Sequence, residues 1–125
     1  MVGSSLRIKS LTMHLRAEIF VSAYLRRCTS EGAYALLRRR GAAEAGAIFV
    51  RVDRLDGTST LYGPAPQTQL ADAGIDRLWA RLHKDETIDN ISAEQRLKKE
   101  ISFDPDIWIV DVDDRAGRCF LDLAP

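Results

Sequence analysis

The residue type whose placement most suggests chemistry in this sequence is arginine. Arginines occur as a pair before the first cysteine, as a run of three, and again in an apolar segment after a short loop of small residues. The planar guanidinium group donates paired hydrogen bonds that suit phosphate and carboxylate groups. If the elements that carry these side chains converge, they form a site for an anionic ligand or partner. The candidate residues are Arg26, Arg27, Arg38, Arg39, Arg40 and Arg51, with Trp79 as an aromatic contact for a partner.

The alternative is that the same arginines are solvated ends of strands and helices, paired with Asp and Glu. Residues 1–54 hold ten Arg and Lys against four Asp and Glu, whereas the whole chain has 18 of each type and a formal net charge of zero. Two halves of one domain with opposite charge can pair across the fold. Nucleic-acid readers usually add a net positive charge and aromatic stacking residues. The balanced charge therefore disfavours a nucleic-acid partner.

Carboxylates are concentrated near the C-terminal end, where they could hold a metal ion. Asp111 and Asp113 would project to the same side of an extended strand, and hard cations such as Mg²⁺ prefer carboxylate oxygens. The weak metal-ligand candidates are Asp104, Asp106, Asp111 and Asp113. They support a second hypothesis, a small metal-assisted hydrolase. Against it, Asp104 and Asp106 flank Pro105 at a position typical of a turn, where Asp hydrogen-bonds to its own backbone.

The thiols and imidazoles form no familiar catalytic or metal-binding motif. Cys28 and Cys119 have no CxxC spacing, and His14 and His83 form no HExxH arrangement. Cys28 follows two arginines, which favour a thiolate, but it also lies at the end of a predicted helix, whose dipole disfavours one. No nucleophile–base pair and no phosphate-binding loop can be assembled. The sequence therefore predicts no catalytic residue and no cofactor.

The elements that must position these residues are predicted by the hydrophobic pattern. Apolar residues at three- and four-residue steps predict a helix, alternation predicts a half-exposed strand, and Asp56-Gly57 predicts a hairpin turn. The first elements are a helix from about Leu15 to Gly32 and strands over 33–40, 47–53 and 58–62. On the second strand Ile48, Val50 and Val52 share one face. This alternation predicts a sheet with one buried face and one face in water.

The second half of the chain has a less regular pattern. Residues 75–83 fit both a helical face and a strand, and the preceding run of strands favours a strand. Ser92 and Gln95 have the spacing of a capping box for a second helix, which Asp104-Pro105 ends. A closing hairpin over 106–123 comes last. Trp108 lies in a stretch that is apolar on both faces, which predicts a covered, central strand.

This order of elements predicts an α+β fold: a single, mostly antiparallel twisted sheet of about five to six strands, with both helices packed on one face. The chain of 125 residues has the size of one domain, which we place at 13–125 after a flexible N-terminal tail over 1–12. The sequence has no apolar segment long enough to span a bilayer and no secretory signal pattern. We therefore expect a cytoplasmic protein without a membrane partner.

Three stretches together resemble a known family. They are Ala23-Tyr24-Leu25-Arg26-Arg27-Cys28, then Leu37-Arg38-Arg39-Arg40-Gly41 through Gly46-Ala47-Ile48-Phe49-Val50 to Arg54-Leu55-Asp56-Gly57, and Asp104-Pro105-Asp106-Ile107-Trp108-Ile109-Val110. In this order and spacing, the chain resembles a family of small uncharacterised bacterial proteins, mainly alphaproteobacterial, defined as a domain of unknown function. The resemblance runs from about Arg16 to Leu121. It implies a compact cytoplasmic α+β domain and assigns no activity to any residue.

The residues together predict a non-catalytic interaction module or anionic-ligand-binding module that uses an arginine-rich surface. Its partner is expected to be another protein or a small anionic ligand. The metal-assisted hydrolase is the alternative hypothesis. A homodimer formed through a strand edge is a third, because an unpaired edge can accept another strand.

Overall fold

The computed structural model describes residues 16–66 and 77–125. The predicted tail over 1–12 lies outside them. In chain order the elements are α1 (Ala17–Ser30), β1 (Tyr34–Arg39), β2 (Ile48–Asp53), β3 (Thr58–Pro64), β4 (Trp79–Arg81), β5 (Ile88–Asp89), α2 (Asn90–Phe103) and β6 (Trp108–Asp113). Two helices and six mostly antiparallel strands confirm the predicted α+β class. Neither α1 nor α2 has the length and apolar character to cross a membrane.

The first helix forms where the apolar spacing predicts it, but Ile19 and Ala23, which belong to the predicted apolar face, are exposed. Ala17, Val21, Tyr24 and Cys28 recur at three- and four-residue steps, and all four are buried. The helix ends where Gly32 adopts a φ of 88°, a left-handed conformation that glycine accepts without steric penalty. This turn directs the chain into β1, the first strand of the sheet.

The sheet has the strand order β1-β6-β2-β3-β4, and β5 pairs with β3. Strand β6 lies between β1, to which it is antiparallel, and β2, to which it is parallel. Trp108 and Ile109 are buried on opposite faces of β6, which confirms the predicted covered strand. The predicted closing hairpin is wrong, because β1 and β2 occupy both edges of β6. Among residues 118–123, Leu123 forms one isolated bridge, to Trp79.

The two helices lie on opposite faces of the sheet, which corrects the expectation that both cover one face. Helix α1 packs on the face that carries Val50 and Val110, whereas α2 packs on the face that carries Phe49 and Ile109. Both β2 and β6 carry apolar residues on each face, and each set needs a cover that excludes water. The second face of β2 is therefore not the open, wet face that its alternation suggested.

The hairpin between β2 and β3 confirms the prediction from Asp56-Gly57. Gly57 has a φ of 92°, and the Asp56 carboxylate accepts a hydrogen bond of 2.9 Å from the Thr58 amide. In the ambiguous segment, residues 79–81 form strand β4, paired with β3, as the preference for a strand predicted. Residues 75 and 76 lie outside the described chain.

The second helix begins three residues earlier than the predicted capping box implies. Asp89 is the N-cap, and its carboxylate accepts hydrogen bonds of 2.8 Å from the amide and the hydroxyl of Ser92. The predicted cap residue Ser92 is therefore a donor inside the first turn. The end of the helix at Phe103, just before Asp104-Pro105, agrees with the prediction.

Candidate functional site

A β-bulge in β1 divides the three consecutive arginines between the two faces of the sheet. Leu37 pairs with Val110, and Arg39 pairs with Ile109, so Arg38 is an extra residue in the strand. Arg38 contacts residues on the α2 face, whereas Arg40 lies over Trp108 on the α1 face. The arginine run consequently forms two separate sites rather than one patch.

On the α2 face, one carboxylate accepts hydrogen bonds from two of the predicted binding arginines. Arg38 donates two hydrogen bonds to Glu94, one of them 2.7 Å long, and Arg51 donates one of 2.8 Å to the same carboxylate. Arg51 also donates to the Ser59 hydroxyl at 3.0 Å. The hydrogen bond from Arg38 is the main cause that lowers the pKa of Glu94 below its usual value. These contacts join β1, β2 and α2, and they are structural.

Asp111 lies beside this cluster in a less favourable position. Its Oδ1 atom is 3.7 Å from Arg38 Nη1, which is too long for a hydrogen bond, and that buried oxygen has no hydrogen-bond partner among the described residues. Burial is the main cause that raises the pKa of Asp111, while Arg38 and Arg51 act in the opposite direction. The Asp111 carboxylate is thus held near positive charge without a direct hydrogen bond to it.

On the α1 face, a groove of about 430 Å³ lies between α1 and β1. Arg26 of α1 and Arg40, just after β1, line it together with the apolar side chains of Leu25 and Leu37. The Trp108 indole, which also lines the groove, lies under the Arg40 guanidinium at 5.1 Å from its ring centroid. The groove therefore combines cationic groups with an apolar lining.

The charge of the groove is not balanced within the described residues. Neither Arg26 nor Arg40 forms an ion pair with a carboxylate in residues 16–66 or 77–125. Glu18 is the acidic residue that lines the groove, and it pairs with Arg16 at 3.2 Å. We call the set of Arg26, Arg40, Leu25, Leu37 and Trp108 the α1–β1 groove.

The remaining predicted contact residues lie elsewhere. Arg39 donates a hydrogen bond of 2.7 Å to the Pro105 carbonyl, and Arg27 lines a smaller cleft of about 160 Å³ beside Phe120. Trp79 is only 3% exposed, and its indole donates to the Ile48 carbonyl at 3.1 Å. The expectation that Trp79 offers an exposed partner surface is therefore wrong, because the indole fills the core under α1.

The four predicted metal ligands do not gather around one point. Asp104 accepts a hydrogen bond of 3.0 Å from the Asp106 amide, as expected of the turn that precedes β6. Asp111 and Asp113 lie further along β6, on its α2 face. Within the residues that the structure describes, no group of three or more His, Cys, Asp or Glu side chains could hold a metal ion. The geometry gives the metal-assisted hydrolase no support.

The described thiol and imidazole groups have structural surroundings. Cys28 is buried in the core, and burial raises the pKa of its thiol, so a thiolate is disfavoured. His83 Nε2 accepts a hydrogen bond of 3.0 Å from the Leu61 amide, and Nδ1 lies 2.6 Å from the Asp85 carbonyl. Both nitrogens of His83 are therefore engaged with backbone groups. His14 lies outside the described residues.

Sequence reasoning missed the residue that decides which arginines are free. Glu94 lies between Ser92 and Gln95 of the predicted capping box, a pattern that gives it no role, yet it accepts hydrogen bonds from both Arg38 and Arg51. A helical projection could have found it, because Glu94 follows the core residue Ala93 and precedes Leu97 by three positions. The bulge that directs Arg40 to the other face has no comparable local signal.

The fold and these surfaces define a small α+β open-sheet domain with a basic groove at one edge. The family model described as "Protein of unknown function (DUF1491)" matches residues 15–122. The chain therefore belongs to the DUF1491 family, as the resemblance implied. No curated protein matches the sequence.

Solved structures agree with this assignment. One is the crystal structure of a DUF1491 family protein from Caulobacter crescentus CB15, whose sequence is 33% identical to this chain. The match covers 90% of this chain and 99% of that protein, with a TM-score of 0.73. The solution structure of protein Atu0922 from A. tumefaciens is 35% identical, covers 88% of this chain and 94% of its own, and also has a TM-score of 0.73. Both relatives come from alphaproteobacteria, in agreement with the expected distribution.

Proposed function

We propose that this domain is a non-catalytic binding module that takes an anionic group of a ligand or partner protein in the α1–β1 groove. The observation that carries the proposal is the contrast between two sets of arginines. Arg38 and Arg51 are ion-paired with Glu94 and hydrogen-bonded to it, whereas Arg26 and Arg40 line the groove without an ion pair to any described carboxylate. Guanidinium groups in this state favour carboxylate or phosphate.

The lining indicates what kind of anion fits. Leu25 and Leu37 give the groove apolar walls, and Arg40 is stacked over Trp108, which restricts the guanidinium without neutralising its charge. A ligand that carries an apolar body beside its charge buries more apolar surface here than a bare ion does. We therefore expect phenyl phosphate to bind more tightly than inorganic phosphate.

The non-catalytic part of the proposal has its support in the described side chains. Cys28 is buried in the core, and His83 is engaged by backbone groups. Of the groups that line the groove, the Glu18 carboxylate is already ion-paired at 3.2 Å, and the Ser22 hydroxyl forms no hydrogen bond to a described base. An acyl- or phosphoryl-transfer mechanism needs a nucleophile or base within reach of the bound group. The cytoplasm is the compartment that we propose, where the free thiols of Cys28 and Cys119 would stay reduced.

The test is a titration of the ¹⁵N-labelled protein with phenyl phosphate, followed by amide chemical shifts at constant ionic strength. We expect shifts concentrated in α1 and β1, and a loss of affinity of about tenfold or more in the double variant R26A/R40A, because charge-assisted hydrogen bonds are removed. The matched control is K99A/R115A, which removes two positive charges from exposed positions outside the groove.

Two results would contradict the proposal. One is equal affinity for phenyl phosphate in R26A/R40A and in the unmodified protein. The other is a set of amide shifts scattered over the whole surface, with K99A/R115A weakening binding as much as R26A/R40A does. The first result would mean that the two arginines do not hold the anion, and the second that the anion responds to overall positive charge and not to the groove.

A further inference from the structure

The edge of the sheet next to the α1–β1 groove is unpaired within the described chain. Strand β1 is the first strand in the sheet order and pairs with β6 on one side. No described residue pairs with its other side. An edge strand of this kind presents a row of backbone N–H and C=O groups that can pair with another chain.

The protection of this edge is incomplete. Natural sheets discourage edge pairing with bulges, charged side chains and proline. In β1 the bulge and the charges occur only at the end, at Arg38 and Arg39. The segment Tyr34–Leu37 pairs regularly with β6 and contains neither a charge nor a proline. Four residues of regular, uncharged edge are therefore available to another strand.

Both faces of β1 offer contacts for such a strand. On the α2 face, Tyr34 is 65% exposed and Leu36 is 42% exposed. On the α1 face, Leu37 lines the groove that holds Arg26 and Arg40. Successive side chains of an added strand would point alternately to these two faces. The side chains on the α2 face would contact Tyr34 and Leu36, and those on the α1 face would lie beside Arg26 and Arg40.

We propose that β1 accepts an extended acidic segment of another protein as an additional strand, with carboxylates at alternate positions that reach Arg26 and Arg40. This inference rests on the proposed function, because it uses the same two arginines to bind the anionic group. It adds the form of the ligand, which is an extended polypeptide held by main-chain hydrogen bonds, with alternating apolar and acidic side chains.

Charge complementarity favours an acidic partner over a second copy of this chain. Two β1 edges can pair antiparallel about a two-fold axis perpendicular to the sheet, which keeps both α1 helices on the same face. The grooves of the two copies would then lie on the same face of the joined sheet, which would carry Arg26 and Arg40 of both copies. Like charges brought together in this way disfavour the pairing.

The probe for this inference is a capped octapeptide that alternates valine and glutamate. We expect it to protect β1 amides from hydrogen exchange and to shift amide signals of both α1 and β1. Replacing every glutamate of the probe with lysine should lower its affinity by about tenfold or more, because two charge-assisted contacts become repulsive. R26A/R40A should weaken the binding of the glutamate peptide, and K99A/R115A should not.

Backbone methylation of the probe separates strand pairing from charge. N–H groups of alternate residues in a strand point to opposite edges, so only one set, valines or glutamates, can pair with β1. We expect N-methylation of one set to abolish binding and N-methylation of the other set to leave it intact. Equal effects of the two methylated sets would overturn the strand-addition inference.

The outcomes also separate this inference from the proposed function. If phenyl phosphate binds at Arg26 and Arg40 but the peptide leaves β1 amides unprotected, the groove is an anion site and the edge inference fails alone. If neither probe depends on Arg26 and Arg40, both proposals fail. A concentration-dependent dimer in sedimentation, with β1 amides protected and the peptide excluded, would identify a second copy as the occupant and would also overturn the inference.

Discussion

Arg38 of β1 and Glu94 of α2 form a bidentate ion pair that connects the edge strand of the sheet to the helix packed on it. Arg51 of β2 donates to the same carboxylate, so Glu94 lies between two cations. The excess of positive charge in the first half of the sequence is thus partly balanced inside the fold by an acid from the second half. The alternative interpretation of the arginines is therefore correct for Arg38 and Arg51.

Replacing Glu94 should destabilise the protein, although its side chain is partly exposed to solvent. Glu94→Gln removes the carboxylate that is hydrogen-bonded to Arg38 and to the largely buried Arg51. The carboxylates that remain nearby, those of Asp111 and Asp53, lie 3.7 Å from the two guanidinium groups, too far for a hydrogen bond. Because the Glu94 side chain is 34% exposed, water screens part of the loss, and we expect about 1–2 kcal/mol less stability in urea unfolding at neutral pH. Glu86→Gln is the control, since Glu86 is 73% exposed and pairs with Arg54 alone. Equal losses in the two variants would contradict this account.

The ionised carboxylate of Asp111 is expected to lower the stability of the fold, whereas that of Glu94 raises it. Burial raises the pKa of its carboxyl, so the folded protein binds the Asp111 proton more tightly than the unfolded chain does. Ionisation at neutral pH therefore opposes folding, and this penalty is lost as the pH falls from the raised folded-state pKa through the ordinary Asp value. At neutral pH, we expect the free energy of unfolding of Asp111→Asn in urea to be at most about 0.5 kcal/mol below that of the unmodified protein, or to exceed it. A loss as large as that of Glu94→Gln would show that the charge of Asp111 is needed.

Local patterns in the sequence were sufficient for most elements of the fold. The period of α1, the Asp56-Gly57 turn and the alternation of β2 each depend on residues close together in the chain. The position of β6 could not be obtained in this way. Its pairing with β1 and β2 joins residues about 60 or more positions apart, and a long-range pairing leaves no periodic signal.

The candidate site was predictable in composition but not in arrangement. Arg26 and Arg40 were both among the predicted anion-binding residues, and they line one groove. Sequence could not separate them from Arg38 and Arg51, because the separation depends on a one-residue bulge and on the side of α2 that carries Glu94. Both features are set by tertiary packing.

The fluorescence of the two tryptophans gives a direct test of their burial in the core. Trp79 is 3% exposed and Trp108 is 1% exposed, so acrylamide should quench the folded protein far less than the urea-unfolded chain. Arg40 covers the Trp108 indole, and Arg40→Ala should therefore raise the quenching of the folded protein. Arg81→Ala is the control, because Arg81 hydrogen-bonds to the carbonyls of His83 and Lys84. Strong quenching of the unmodified folded protein would contradict the burial of Trp79.

Asp114 should make the stability of the protein depend on pH in the acid range. Its carboxylate is only 7% exposed and accepts hydrogen bonds from the amide of Arg118 at 2.8 Å and from its guanidinium at 2.8 and 3.1 Å. The side-chain hydrogen bond from Arg118 is the main cause that lowers the pKa of Asp114. A lowered folded-state pKa stabilises the protein above the unfolded-state value of about 4, and this contribution is lost as pH falls through the folded value.

We therefore expect Asp114→Asn to lose about 1–2 kcal/mol in urea unfolding at neutral pH, because charge-assisted hydrogen bonds are weakened. The difference between Asp114→Asn and the unmodified protein should shrink as the pH is lowered below about 4. Asp85→Asn is the control, since Asp85 is exposed and its side chain forms no ion pair among the described residues. If the stability difference between Asp114→Asn and the unmodified protein stays constant down to the lowest pH, the loss comes from altered packing and not from the missing negative charge.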